Sequence, residues 1–451
     1  MNSRPTPPKP AAQILEGWGR YPRVEAPALE SENLPAITDG ATLCRGLGRA
    51  YGDAALPGSS DGVVAITPLA DRVLCFNTET GRFRAEAGLS LHTLNRITMP
   101  HGWFTPVTTG TQFVTLGGMV ASDVHGKNHH VAGTFGRHVS ALRMRVADGR
   151  ILEVTRESEP ELFVATLGGM GLTGHILEVE FQLEAISSPW IYEESERLPD
   201  IEQVLERLGT TSKEWPMTVA WIDTSSKGKK LGRGIVMAGR WATKEEAAGK
   251  PAMPPEKFEI AVPFTMPHGL VSNFTLGLAN TAWYTKHGSK HVKHIAHPQG
   301  YFYPLDAISK WNKGYGPKGF TQYQCVMPTD AKLFREFLEL FQKMGGASFV
   351  TVFKDCGPAG EGLMSFPKRG TSIALDIPVR AKTQALVDAL NEYVLKHDGR
   401  IYLAKDAFTR REHFQAMYPN LKQFNAIRRT WDPEGRLSSA MARRLIDEEV
   451  S

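Results

Sequence analysis

The spacing of hydrophobic and polar positions changes repeatedly along this chain, and each change marks an element. Short runs at 62–67 (GVVAIT), 73–77 (VLCFN) and 82–88 (RFRAEAG), with a turn at 78–81, predict strands joined by tight turns. Ser90 reads as the N-cap of a helix through LHTLNRIT, which Pro100 and Gly102 end. ALRMRVADGRILEVT predicts a hairpin around Asp148 and Gly149. PELFVATLGGMGLTGHILEVEFQLEAI predicts a helix, a glycine turn and a long strand. The segment 40–186 therefore reads as an α+β unit with glycine at its corners.

From about 189 to 399 the texture differs. Strands are predicted at 217–224, 232–242, 320–328, 347–355 and 371–379. Helices with i, i+3, i+4 apolar spacing are predicted at 200–208, 330–344 and 381–397. This predicts a second α+β domain, an antiparallel sheet backed by helices. Within it, 248–320 shows no clean period and reads as a long irregular segment. It carries Lys286, His287, Lys290, His291, Lys293, His294 and His297 among prolines and aromatics, a pattern that suits a lid over a phosphate-bearing substrate, an anionic membrane surface or a solvated loop. The division expected is 1–188 for the first domain, 189–399 for the second, and 400–451 for a segment that returns to the first.

Composition narrows the function. A chain of 451 residues is too long for one core and implies two domains. Its 41% hydrophobic and 22% charged content is that of a soluble globular protein. A net charge of +4 is too small to argue for nucleic acid as a partner. The cysteines Cys44, Cys75, Cys325 and Cys356 form no CxxC pair, so neither a metal site nor a disulfide framework is expected. The first ten residues hold four prolines and read as a disordered arm. No apolar core of signal-peptide length and no run of ~20 apolar residues is present. The expectation is a cytoplasmic or membrane-associated protein without a transmembrane span, with the periplasm as the alternative.

Two glycine-rich stretches carry the candidate chemistry. The first, CRGLGRAYGDA (44–54), lacks the GxGxxG spacing of a dinucleotide fold. It reads as a surface turn, or as a turn whose amides and arginines hold a pyrophosphate. The second, at 109–138, has Gly110, Gly117, Gly118, Gly126, Gly133 and Gly136, then packs His125, Lys127, Asn128, His129 and His130 together. On its own it suits a phosphate-bearing cofactor and a glycine-rich turn region equally.

RGLGRAYGD (45–53), GTQFVTLGGMVASDVHGKNHH (110–130), FGRHV (135–139), LGGMGLTG (167–174) and DPEGRLSS (432–439) together resemble the flavin-binding fold of the vanillyl-alcohol-oxidase superfamily. With AWIDT, QYQ at 322–324, FKDCGP and YLAKD, the resemblance extends along the chain to a branch of that superfamily acting on polyprenylphosphoryl-ribose. It implies a two-domain α+β flavoprotein that oxidises the 2′-hydroxyl of the ribose with FAD. The FAD would lie along Arg45, Gly46, Leu47, Gly48, Arg49, Ala50, Tyr51, Gly52 and Asp53. It would continue past Gly110, Thr115, Leu116, Gly117, Gly118, Ser122, Asp123, Val124 and His125, with Ile176 and Tyr402 closing around it. Many members tether the flavin through a histidine in the first glycine loop; Arg49 stands there, which implies non-covalent FAD.

The resemblance assigns catalysis to Lys405, with His125, Lys127 and Tyr51 beside the reactive ring. It assigns substrate contacts to Gln322, Gln324, Lys354, Trp221 and Tyr315, and to Ser372 and Ala374, where relatives have asparagine and cysteine. His129 and His130 read as structural. The implied partners are the lipid sugar, a separate NAD(P)H-dependent keto-reductase, a quinone or other electron acceptor, and a peripheral membrane surface. The rival readings are an alditol or sugar oxidase of the same superfamily and a non-catalytic polyprenyl-phosphate-binding flavoprotein.

Overall fold

Two small sheets form the first layer of the computed structural model, which describes residues 9–256, 259–267, 269–287 and 291–447. The first eight residues of the proline-rich arm and Lys290 lie outside the described residues. One sheet orders its strands Ala11–Glu16, Arg23–Glu30, Val64–Ile66, Leu43–Arg45. The other orders them Val73–Phe76, Arg82–Glu86, His175–Gln182, Val139–Arg145, Ile151–Thr155. Ser90 caps the helix Leu91–Thr98 by accepting from the Thr93 amide, and Gly102 ends the following turn at φ 78°. The predicted hairpin closes at Gly149 with φ 93°, a conformation that glycine adopts without strain. Phe83, Phe135, Phe163 and Phe181 are fully buried between these sheets and their helices.

An antiparallel sheet of eight strands forms the second layer. Its order is His291–Ala296, Ile191–Leu198, Gly234–Trp241, Met217–Ile222, Val352–Cys356, Gly370–Pro378, Phe320–Met327, Arg400–Ile401. Because strand side chains alternate, each strand has one face for a core and one for a site. One face sends Ala220, Ile222, Phe353, Ile373, Leu375, Tyr323 and Cys325 into a shared core. There they meet Phe334, Phe337, Leu338 and Phe341 of the helix Ala331–Lys343, whose apolar residues recur every three or four positions. The helices Ile201–Thr211 and Thr383–Lys396 complete that layer. The α+β architecture, with an antiparallel sheet backed by helices in the second layer, is thus as expected.

The structure departs from the pattern in two places. The expected strand at 347–355 begins only at Val352. Ser348 instead exchanges bonds with Thr224, and its hydroxyl accepts from the Asp376 amide at 2.9 Å, so side-chain bonds replace a ladder. The segment 248–320 is less irregular than its sequence: it contains the helices Asn273–Lys286 and Pro298–Phe302 and the edge strand His291–Ala296. The long helix buries only Leu276 and Asn280, so its apolar residues do not fall on one inward stripe. A capping box between Ser272 and Thr275 sets its start.

The final segment joins the layers. Its strand Arg400–Ile401 extends the large sheet, and its helix Leu421–Trp431 packs against Pro160–Thr166. Arg444 grips Asp53 through two bonds of 2.8 and 2.7 Å and also reaches Asp406.

Candidate active site

The second face of the large sheet is the floor of the site. Register places Trp221, Val352, Ala374 and Gln324 in one row across four strands. Lys354 and Ser372 make the next row, and Gln322 pairs with Asp376 on the other side. Residues two apart share a face, so all these side chains point the same way. The stretch 125–130 lies over this floor: Gln324 Nε2 donates to His125 Nε2 at 2.9 Å and to Ser372 Oγ at 3.0 Å. The Thr218 amide donates to Lys127 O at 2.8 Å, and the Gly357 amide to His129 Nδ1 at 3.0 Å. His130 bonds Trp215 O.

Lys405 ends a short turn, Leu403–Lys405, that follows the edge strand. The Tyr51 amide donates to Ala404 O at 2.9 Å, and Lys405 Nζ stands 4.0 Å above the Tyr51 ring. The first glycine loop, the lysine and the floor therefore meet at one point. Gln322 donates to Asp376 Oδ1 at 2.6 Å and Tyr315 to Asp376 Oδ2 at 2.9 Å, while Tyr315 stacks on Phe320.

The electrostatics follow from enclosing several cations. Lys405 keeps some accessible surface, yet burial, reinforced by Lys354, pushes its ammonium down to about 7 against the pull of Asp376. Burial raises the Asp376 carboxyl to about 6, opposed by its bonds from Gln322 and Tyr315. Burial also lowers Lys354. Lys127 falls to about 7 by burial, partly offset by Glu193; it lies over the Tyr301 ring and donates to Tyr301 O. Burial, with Lys354, His129 and Lys405 nearby, holds His125 well below its usual value, so it is neutral. Since the Gln324 amide donates to Nε2, the His125 proton is assigned to Nδ1.

The glycine stretches pack closely beside this point. A Cβ on Gly46 would collide with Thr115 Oγ1, and one on Gly52 with Asp406 O. Gly110 faces open space. Thr115 caps the helix Leu116–Ala121, and Leu116 and Gly117 donate their amides to Leu89 O and Ala87 O. The Tyr402 hydroxyl donates to Ser122 O at 3.0 Å, and its ring lies 5.2 Å from His125. Val124 and Ile176 are buried, and Leu47 is exposed.

The remaining candidates act as braces. Arg45 donates to Ala55 O and Glu16 O, at 3.0 and 2.7 Å, and packs against Gly48, which has φ 64°. Ala50 O accepts from Trp18 N, and Asp53 is held by Arg444. Asp123, at φ 37°, accepts from the Gly136 amide and from Ser365 Oγ. The Trp221 indole is committed to Phe349 O at 3.0 Å. Asp376 was missed in the sequence, although alternation in SIALDIP puts it on the face of Ser372 and Ala374.

These residues fit FAD. The glycines of the first loop let its backbone pack tightly on Thr115, Arg45 and Asp406, which fixes the amides that would hold a pyrophosphate. Among the described residues, Arg49 Nε and His125 Nδ1 are buried without hydrogen-bond partners, two donors within the stretches that would hold the cofactor. Arg49 is otherwise stacked 3.9 Å over Trp18. Among the described residues no group of three His, Cys, Asp or Glu side chains is placed to hold a metal ion.

A family model described as an FAD binding domain matches residues 38–155, and one described as D-arabinono-1,4-lactone oxidase matches residues 373–445. The FAD-binding match and the relative that follows make this an FAD-dependent oxidoreductase acting on a sugar hydroxyl, a chemistry that an enclosed lysine and a polar floor suit. Decaprenylphosphoryl-β-D-ribose oxidase of Mycolicibacterium smegmatis is 35% identical over 448 residues, 96% of this chain and 97% of that protein. The chain belongs to the decaprenylphosphoryl-β-D-ribose oxidase family. An uncharacterized Streptomyces coelicolor protein is 32% identical over 79% of this chain and 100% of its own length. L-gulonolactone oxidase of Bos taurus is 33% identical over 27% of this chain and 28% of its own. Similarity of that short reach does not favour the alditol oxidase reading.

Proposed function

We propose that this chain oxidises the 2′-hydroxyl of a polyprenylphosphoryl-β-D-ribofuranose to the 2′-keto sugar, the first half of epimerisation to an arabinofuranose donor. The observation that carries the reading is the donor set on the sheet floor: Gln322, Gln324, Ser372 and Lys354 lie in register around Lys405. A sugar hydroxyl needs such directional partners, and a phosphate needs a cation. FAD, when bound along 45–53 and 110–125, supplies the two-electron acceptor. Lys405, held near neutrality, takes the proton from the reacting hydroxyl and stabilises its oxygen. Gln324, fixed by His125 and Ser372, and Gln322, fixed by Asp376, orient the ring hydroxyls. Lys354 meets the phosphate, which favours its charged form against the burial that lowers it. Lys127 and Tyr51 hold the walls. Ala374 lies mid-row and presents no nucleophile.

Arg49 in place of a tethering histidine supports non-covalent FAD. The keto sugar calls for a separate NAD(P)H-dependent reductase, and the reduced cofactor for a quinone or other acceptor. A lipid-borne substrate favours a peripheral membrane surface; among the described residues no helix is long and apolar enough to cross a membrane. Residues 1–188 with 400–451 form the FAD-binding part and 189–399 the substrate part. Deuterium at C2′ of a short-chain prenylphosphoryl-ribose tests the reaction. It should slow flavin bleaching, and the product should carry a 2′-carbonyl. Bleaching without an isotope effect and with a carbonyl elsewhere would refute the assignment.

A further inference from the structure

Eight large apolar side chains among the described residues are more than half exposed, and five of them, Ile260, Phe264, Leu270, Phe274 and Leu278, fall within 260–278. Such clustering on a soluble protein marks a binding surface. In the helix Asn273–Lys286, Phe274, Leu278 and Ala282 follow each other at four-residue steps on the outer side, with Trp283 also exposed. The inner side is fixed: Leu276 is buried, and Asn280 Nδ2 donates to Asp223 Oδ1 at 3.0 Å and Ser348 O at 3.1 Å. The apolar face therefore cannot turn inward without breaking a buried amide pair. Nearby, Ile260 and Ile308 are register partners in a two-stranded ribbon, and both are exposed.

Charge selects the occupant. Between 260 and 320 the sequence has one acidic residue, Asp306, which is buried, against Lys286, Lys290, Lys293, Lys310, Lys313 and Lys318. Lys286, Lys310 and Lys318 are exposed. An outward apolar stripe edged by lysines that outnumber the exposed Glu259 beside the ribbon matches the interface of an anionic bilayer. Helix and ribbon also border one end of the active site. Ser348 accepts from Asn280 through its carbonyl and from the Asp376 amide through its hydroxyl. The ribbon strand Ile308–Ser309 leads into the turn whose Tyr315 bonds Asp376.

We infer that the helix Asn273–Lys286 and the ribbon form a membrane-docking face, which seats in an anionic bilayer and turns the Asp376 end of the pocket toward it. The inference rests on the proposed lipid-borne substrate for its biological sense. The test uses holoenzyme and phosphatidylcholine vesicles with and without phosphatidylglycerol. The wild-type protein should sediment with the anionic vesicles. Phe274→Ser with Leu278→Ser should lower the partition coefficient about a hundredfold, roughly one decade per large side chain. Lys286→Glu with Lys310→Glu should abolish the preference for anionic lipid. Both variants should keep their flavin and the wild-type rate of bleaching by a soluble short-chain ribosyl phosphate, which shows that they are folded. Unchanged partition in the apolar variant, or no wild-type binding, overturns the docking face. So does a wild-type dimer that the apolar variant converts to monomer without any change in vesicle binding. Vesicle binding lost in the variants while no ribosyl lipid bleaches any form would leave the docking face standing and reject the proposed reaction instead.

Discussion

Removing the Lys405 amine tests the chemistry most sharply, because the proposed proton transfer runs through that group. Burial lowers its pKa from the ordinary 10.5 to about 7. At pH 7 about half of the amine is then free base, against roughly three in ten thousand for an ordinary lysine, a gain of about three decades. Positioned proton transfer contributes about 10²–10⁴ to a rate. Lys405→Ala should therefore retain FAD and reduce it about 10²–10⁴ times more slowly in anaerobic stopped flow. In the wild type the reduction rate should rise with pH through an inflection near 7, because the protonated lysine cannot accept the hydroxyl proton. The variant should lack that inflection. Lys405→Arg keeps the charge and cannot lose its proton, so it should be as slow as the alanine variant. A reduction rate within threefold of wild type, or an inflection that survives in the alanine variant, would remove Lys405 from the proton transfer. Full rescue by arginine would make its role purely electrostatic.

Three further outcomes follow from the same geometry. Gln324→Leu leaves His125 Nε2 and Ser372 Oγ without their shared donor and should raise KM for the ribosyl substrate by about tenfold or more, with steady-state kinetics as the measure. Gly46→Ala drives a methyl into Thr115 Oγ1, so the protein should purify largely without flavin, read from its absorbance at the flavin band; full occupancy would refute the close approach. Arg444→Ala strands Asp53 and Asp406 in buried positions and should cost about 3 kcal/mol, lowering the thermal midpoint by several degrees and freeing flavin on heating.

The sequence shows the elements better than the site. Strands that alternate between a core and a polar face, such as Phe320–Met327 and Gly370–Pro378, were legible because their period survives burial. The helix Asn273–Lys286 was not, because its apolar residues point outward and its inner side rests on Asn280. Gln322, Gln324 and Lys405 were found only through motif resemblance, since no spacing rule brings residues some eighty positions apart onto one point. Asp376 was readable from alternation, but its partners Gln322 and Tyr315 exist only once the sheet is paired. Arg45 and Asp53 show the converse: a motif marks residues as important without saying that their side chains brace the loop through Glu16, Ala55 and Arg444.

Oxidation of a lipid-linked ribose by this flavoenzyme is tested by anaerobic flavin bleaching across a panel of farnesylphosphoryl-ribose, free ribose and alditols. The prenylphosphoryl-ribose should bleach the yellow protein, and the free polyols should not. Bleaching by alditols with none by the lipid sugar would contradict it.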